Sequence, residues 1–265
     1  TVSIFTKAAE ARAGSSVQQV VGNDGYTKFG TTVSTGMNEN GLAATVSASR
    51  TAGNGYVDGT EFVGYNYFVN IAKELNEDHT LSFTAFGAPQ RHGQRQNRHL
   101  IETYRESESG IRFNGDWGYM NGQVTHIEDN FYHKPQLSLN HYWDISDRTL
   151  LSTAVYASFS SGGGGGWAGE NKFGLNSKYR DGALQPVNLD QVGDKISYNN
   201  DGIVLWEGGF LQAEYSKNDL DAFISVAASN TSYKRIDYFN YTDNDPLQET
   251  DFINFFGYQV KGGAN

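Results

Sequence analysis

The connections between candidate strands alternate in length, and no other property of the sequence limits the fold so sharply. Two-residue alternation of apolar and polar side chains marks about ten strands. They fall near 14–22, 26–36, 42–50, 61–75, around Leu81, Phe83 and Ala85, then 134–145, 149–160, 203–216, 219–238 and 251–264. The third is among the clearest: Leu42, Ala44, Val46 and Ala48 fall on one face, Ala43, Thr45, Ser47 and Ser49 on the other. Connections at 37–41, 76–79, 146–148 and 217–219 are short, whereas those at 51–60, 91–133, 161–202 and 239–250 are long. Short and long take turns, with Asn23-Asp24-Gly25 the one short connection out of sequence.

A soluble sandwich has no reason to gather its long loops at one end. An outer-membrane β-barrel does, since tight turns lie on the periplasmic side and long loops outside. Loops near 40 residues are foreign to a compact soluble domain. The candidate strand 219–238 is also too long for a soluble sheet and suits a tilted barrel strand that continues above the membrane. The pattern therefore predicts an all-β, antiparallel outer-membrane barrel with long extracellular loops. Helix finds little support, because Gly, Asn and β-branched residues interrupt every 3.6-residue stripe.

Composition agrees with this reading. Mean hydropathy is −0.55 and no apolar run is long enough for a helical span, yet barrel strands need only about 9–11 residues and alternate lipid-facing with lumenal ones. The 16 Phe, 16 Tyr and 4 Trp suit aromatic girdles at two membrane interfaces. A net charge of −10 argues against a nucleic-acid partner, which demands grouped Lys and Arg. The absence of Cys decides little.

The chain resembles, over several stretches, the barrel of TonB-dependent receptors of the Bacteroidetes type, whose chains open with a carboxypeptidase-regulatory-like domain. The stretches are Gly55 to Thr60, Ser82 to Arg95, Phe131 to Gln136, Ser161 to Gly166, Phe210 to Tyr215 and Val260 to Asn265, with the run ending at Arg95 the most specific. The resemblance implies about ten strands of a larger barrel of about 22 strands with a plugged lumen. Residues 1–13 are then the end of the plug or its linker, and 14–265 a partial transmembrane barrel. It further implies import of a scarce nutrient, outer-membrane location, contact with outer-membrane lipid, coupling to TonB through a region absent from this sequence, and a surface lipoprotein as a further partner. Relative to such proteins the join at Val192-Gly193 is abrupt, and residues are expected to be missing there.

No hydrolase, zinc or phosphate-loop pattern is present, so no catalytic residue, cofactor or metal ligand is assigned. The run Gly162 to Gly166 reads as flexible extracellular loop. His92, His99, His126 and His133 follow no ligand spacing and read as solvated loop residues, as does the acidic stretch Asp243 to Asp251. Extending the register past Phe86 points Gln90, His92 and Gln94 into the lumen, as candidate groups for a polar solute, and Arg91 and Arg95 toward an outer rim near lipid phosphates. Pro89 and Gly93 are the residues able to break that register. Two other readings stay open: a self-contained ten-strand outer-membrane enzyme, and a secreted carbohydrate-binding β-protein that is soluble without detergent.

Overall fold

The computed structural model describes residues 11–96, 98–120, 123–126, 129–167, 196–238, 241 and 244–265. The first ten residues of the expected plug or linker segment and the Val192-Gly193 join lie outside these. One antiparallel sheet dominates, its strands paired almost entirely in chain order. The path runs β1 (Gly14–Val21), β2 (Thr27–Ser34), β3 (Leu42–Gly53), β4 (Phe62–Glu74) and β5 (His79–Gly87). Four short strands intervene in sequence, β6 (Gln90–Gly93), β7 (Trp117–Met120), β8 (Gln123–His126) and β9 (Asp129–His133). The path then resumes with β10 (Gln136–Ser146), β11 (Thr149–Trp167), β12 (Ile196–Lys217), β13 (Leu220–Asp237) and β14 (Ile253–Ala264).

Alternation along each strand sorts the side chains onto two unlike faces. Val33, Val46, Ile71, Phe83, Leu139, Val155, Leu211 and Val226 all share one face and are all exposed on it. On the opposite face the same rows hold Thr32, Ser47, Asn70, Ser82, Thr84, Ser138 and Asn140. That polar face knits itself together. Buried Asn70 shares its Nδ2 hydrogens among Thr84 Oγ1 at 2.7 Å, Ser82 Oγ at 3.1 Å and Phe83 O at 3.1 Å. Replacing Asn70 with Ala is expected to cost about 2 kcal/mol, since each acceptor loses its donor in a site shut off from water. An unchanged urea midpoint would show that the cluster contributes nothing.

Pro89 and Pro135 interrupt two strands without shifting them. β6 continues β5, and β9 leads into β10: the pairs Gln136↔Phe86 and Gln90↔Tyr132 obey one register, as do Tyr67↔Gly87 and Gly64↔Gln90 on the other side. Tyr65 N still donates to Pro89 O at 2.8 Å, so the proline keeps the acceptor half of its ladder pair and loses only the donor half. The register that Pro89 was able to break is therefore intact.

Two expectations need correction. The glycine run is strand, not loop: Gly162, Gly163, Gly164 and Gly165 pair with both β9 and β12. A Cβ at Gly163 would lie 2.1 Å from Asp201 Oδ1, and one at Gly164 would lie 2.4 Å from Asp129 O, so only glycine lets the neighbouring backbones approach. A short helix α1 (Ile101–Glu106) followed by a 3-10 turn at Gly110–Arg112 also occupies part of the longest loop, where no helix was expected.

The aromatic residues on the apolar face gather at two levels. Near the tight turns, His79 stacks between His141 (centroids 5.1 Å apart) and Trp143 (5.2 Å). Nearer the long loops, Tyr67 Oη reaches His133 Nε2 at 2.9 Å, passing over Gly87, where a Cβ would sit 2.4 Å from that hydroxyl. Between the two levels, from β4 across to β11, the face carries Val69, Ile71, Phe83, Leu137, Leu139 and Val155.

Candidate functional site

The described parts of the long connections lie at one end of the sheet, where the longest folds into a small cap on its neighbours. Phe113 is its fully buried centre, with His99 (5.0 Å) and Tyr104 (6.4 Å) edge-on to the ring. Fully buried Asn114 bridges two loops by donating from Nδ2 to Asp58 O at 2.7 Å and Gln94 O at 3.2 Å, while its Oδ1 accepts from Asp116 N at 2.9 Å. Asp116 Oδ2 accepts from Gln96 N at 3.0 Å. Arg112 extends the cap to the first turn, meeting Asp24 at 2.8 Å and lying 4.6 Å from the Tyr56 ring centre. Its hydrogen bond to Asp24, with the attached charge, raises the pKa of an already cationic guanidinium.

Beside the cap, on the polar face, lies a cavity of about 470 Å³ whose lining includes Gln94, Gln96, Asn130, Tyr132, Lys134 and Asn200. A neighbouring cavity of about 500 Å³ shares Gln94 and Gln96 and adds His92, Tyr56 and Thr60. Amides dominate the first, supplying donors and acceptors alike. Lys134 Nζ sits 5.2 Å from the Tyr132 ring centre and brings the cationic charge. The floor is bare backbone at Gly162 and Gly164.

The continuous register puts Gln90 and His92 on the same face as Ser82 and Thr84, and Gln94 lines both cavities. Gln90 Nε2 donates to Asn130 Oδ1 at 3.1 Å, and His92 Nδ1 lies 3.1 Å from Gly93 O. Sequence reasoning missed Asn130, Tyr132, Lys134 and Asn200, which reach the cavity only through pairing between distant strands.

The arginines divide. Arg91 is exposed on the apolar side and pairs with Asp129, whereas Arg95 turns into the cap and donates to Ile111 O at 2.9 Å and Phe113 O at 3.0 Å. Arg95 thus stitches the cap instead of facing lipid phosphates. The four loop histidines are engaged as well, a correction to the solvated reading: His133 with Tyr67, His99 with Phe113, His92 with a backbone carbonyl, and His126 with Glu61 at 3.4 Å. In the acidic loop, Glu249 pairs with Lys234, and Asp245 Oδ1 accepts from Leu247 N at 2.8 Å.

No family model and no curated protein matches the sequence. Solved structures do match in fold. The chain aligns over 96% of its length with the copper transporter OprC (TM-score 0.56, 13% identity). It aligns over 94% with the ferripyoverdine receptor of the outer membrane of Pseudomonas aeruginosa (0.61, 12%). With the siderophore receptor PiuA from Acinetobacter baumannii it aligns over 98% (0.61, 11%). It spans only 35%, 34% and 39% of those chains respectively. The chain shares with them the fold of an antiparallel β-barrel wall, here with one apolar face and one polar face.

Proposed function

We propose that the chain is part of the barrel of a TonB-dependent importer of a scarce nutrient, of the Bacteroidetes type described above, located in the outer membrane. The observation that carries this reading is the coexistence, on one continuous wall, of an exposed apolar band and an amide-lined cavity beneath an ordered loop cap. The apolar band meets lipid, and the cavity and cap face the lumen and its mouth. Solute is held there through Gln90, His92 and Gln94 together with Asn130 and Lys134, until energy from TonB displaces the plug.

Transport suits these groups better than catalysis. The amides, His92 and Lys134 suit hydrogen bonding to a polar solute, and none of the hydrogen bonds described there joins an acid–base or nucleophile pair. The copper transporter and siderophore receptors of similar fold favour the same reading. The exposed apolar band counts against a secreted, detergent-independent protein. A surface lipoprotein above the cap would complete the capture apparatus.

The test is the intact mass of the protein from its source membrane, combined with uptake by whole cells. A mass well above 29.2 kDa, with uptake abolished when the inner-membrane proton gradient collapses, is the expected outcome. A mass of 29.2 kDa, or uptake indifferent to the gradient, would overturn the reading. Within the full protein, replacing Gln94 and Asn130 together with Ala should weaken solute binding about tenfold, the loss of one or two hydrogen bonds.

A further inference from the structure

From the amide cavity toward the tight turns, the polar face carries aromatic rings laid across glycines of neighbouring strands. Tyr132 crosses Gly162, where an added Cβ would lie 2.8 Å from the tyrosine Cβ. Tyr233 reaches over Gly202, its Cε2 3.5 Å from the corresponding position, and Tyr156 covers Gly208 so closely that no Cβ would fit there. Trp206 leans on Tyr156, with ring centres 4.7 Å apart. The ladder puts all four on the polar face: Tyr132 opposite Gln90, Tyr156 opposite Ser138, Trp206 opposite Ser158, and Tyr233 opposite Val204, itself opposite Ser160.

A missing Cβ lets a ring lie across the sheet, with one side packed on backbone and the other offered to the lumen. Tyr132, Trp206 and Tyr233 stay 40%, 38% and 38% exposed. Covering a glycine serves the strands alone; exposed rings in line with a cavity of amides serve a ligand. Gln94, Gln96, Asn130 and Asn200 each offer donors and acceptors, which a ligand rich in hydroxyls answers in kind. An aromatic face is electron-rich and apolar, so it takes the C–H side of a ring rather than a polar edge. Charge plays a small part, since Asp129 is held by Arg91 and Arg235 by Asp237, which leaves Lys134 as the cation of the cavity lining.

A pyranose joins the two required surfaces, with hydroxyls around its edge and C–H bonds on its sides. Gly202 and Trp206 stand four residues apart on β12, so the aromatic track runs about 13 Å along the strand, longer than one such ring. Resting on the importer reading of this face, we propose that it binds a neutral oligosaccharide. The hydroxyls of one sugar meet the amides, and further sugars stack on Tyr132, Tyr233 and Trp206.

The test titrates the full protein in detergent with an array of neutral oligosaccharides, the α- and β-linked hexamers of glucose, mannose, galactose and xylose, and with catechol as a flat aromatic control. At least one hexamer is expected to bind and to change tryptophan emission. Trp206→Ala should weaken that binding about tenfold, and Tyr233→Ala, on another strand, should repeat the loss. Trp206→Phe, which keeps a ring, should lose less. The urea midpoint identifies the variants that fold. Binding of no hexamer, binding of catechol alone, or a folded Trp206→Ala or Tyr233→Ala variant as tight as the original would overturn the proposal. An importer that takes no hexamer yet stops with the proton gradient keeps its function and loses this cargo, whereas hexamer binding with gradient-independent uptake does the reverse.

Discussion

Phe113→Ala should dissolve the loop cap while leaving the wall intact. The ring is the one large apolar side chain fully buried among the described residues, and truncating a buried Phe costs about 3–5 kcal/mol. A cap of loops, one short helix and one turn has little cooperative stability of its own, so a loss of that size opens it locally. With the ring gone, His99 and Tyr104 lose their common partner, and the carbonyls clamped by Arg95 lose their fixed position. Limited proteolysis should then cut between 94 and 116 in the variant at protease levels that spare the original protein. Solute binding should fall with it, since Gln94 and Gln96 are held by Asn114 and Asp116 of the same cap. Cleavage at an unaltered rate would mean that the cap is held from elsewhere.

Leu211→Arg and Gln212→Arg differ by one position and should differ in stability. Leu211 is exposed on the apolar face in register with Val226, and an arginine on a lipid-facing position costs up to about 2–4 kcal/mol at the midplane and less toward an interface. Gln212 points to the opposite face beside Glu214, where a cation gains a partner. Refolding into bilayers from urea should show a sharply lowered stability for Leu211→Arg and one near the original for Gln212→Arg. Equal effects would remove the assignment of faces on which the membrane orientation rests.

The strands were legible because their cause is local. Leu42, Ala44, Val46 and Ala48 alternate with Ala43, Thr45, Ser47 and Ser49, and burial on a two-faced sheet needs nothing more. Gln90 and His92 could be put on the polar face by counting onward from Phe86, because a proline removes a donor without removing a residue. The glycine run could not be read correctly from composition. What makes Gly163 and Gly164 strand residues is the proximity of Asp201 and Asp129, which lie tens of residues away in the chain. The cap was hidden for the same reason: Asn114 is buried because Asp58 and Gln94 come to meet it, and its sequence neighbours Gly115 and Asp116 suggest only a turn.

Pro89 and Pro135 occupy facing strands at nearly the same height, where Tyr67 and His133 mark the upper edge of the apolar band. Each deletes an amide donor from its ladder, so the wall carries a horizontal crease of fewer bonds with no change of register. The crease is local: β4 and β11 run unbroken past it and pair with β6 and β9 above it as they pair with β5 and β10 below, so the sheet stays continuous from the apolar band up to the cap.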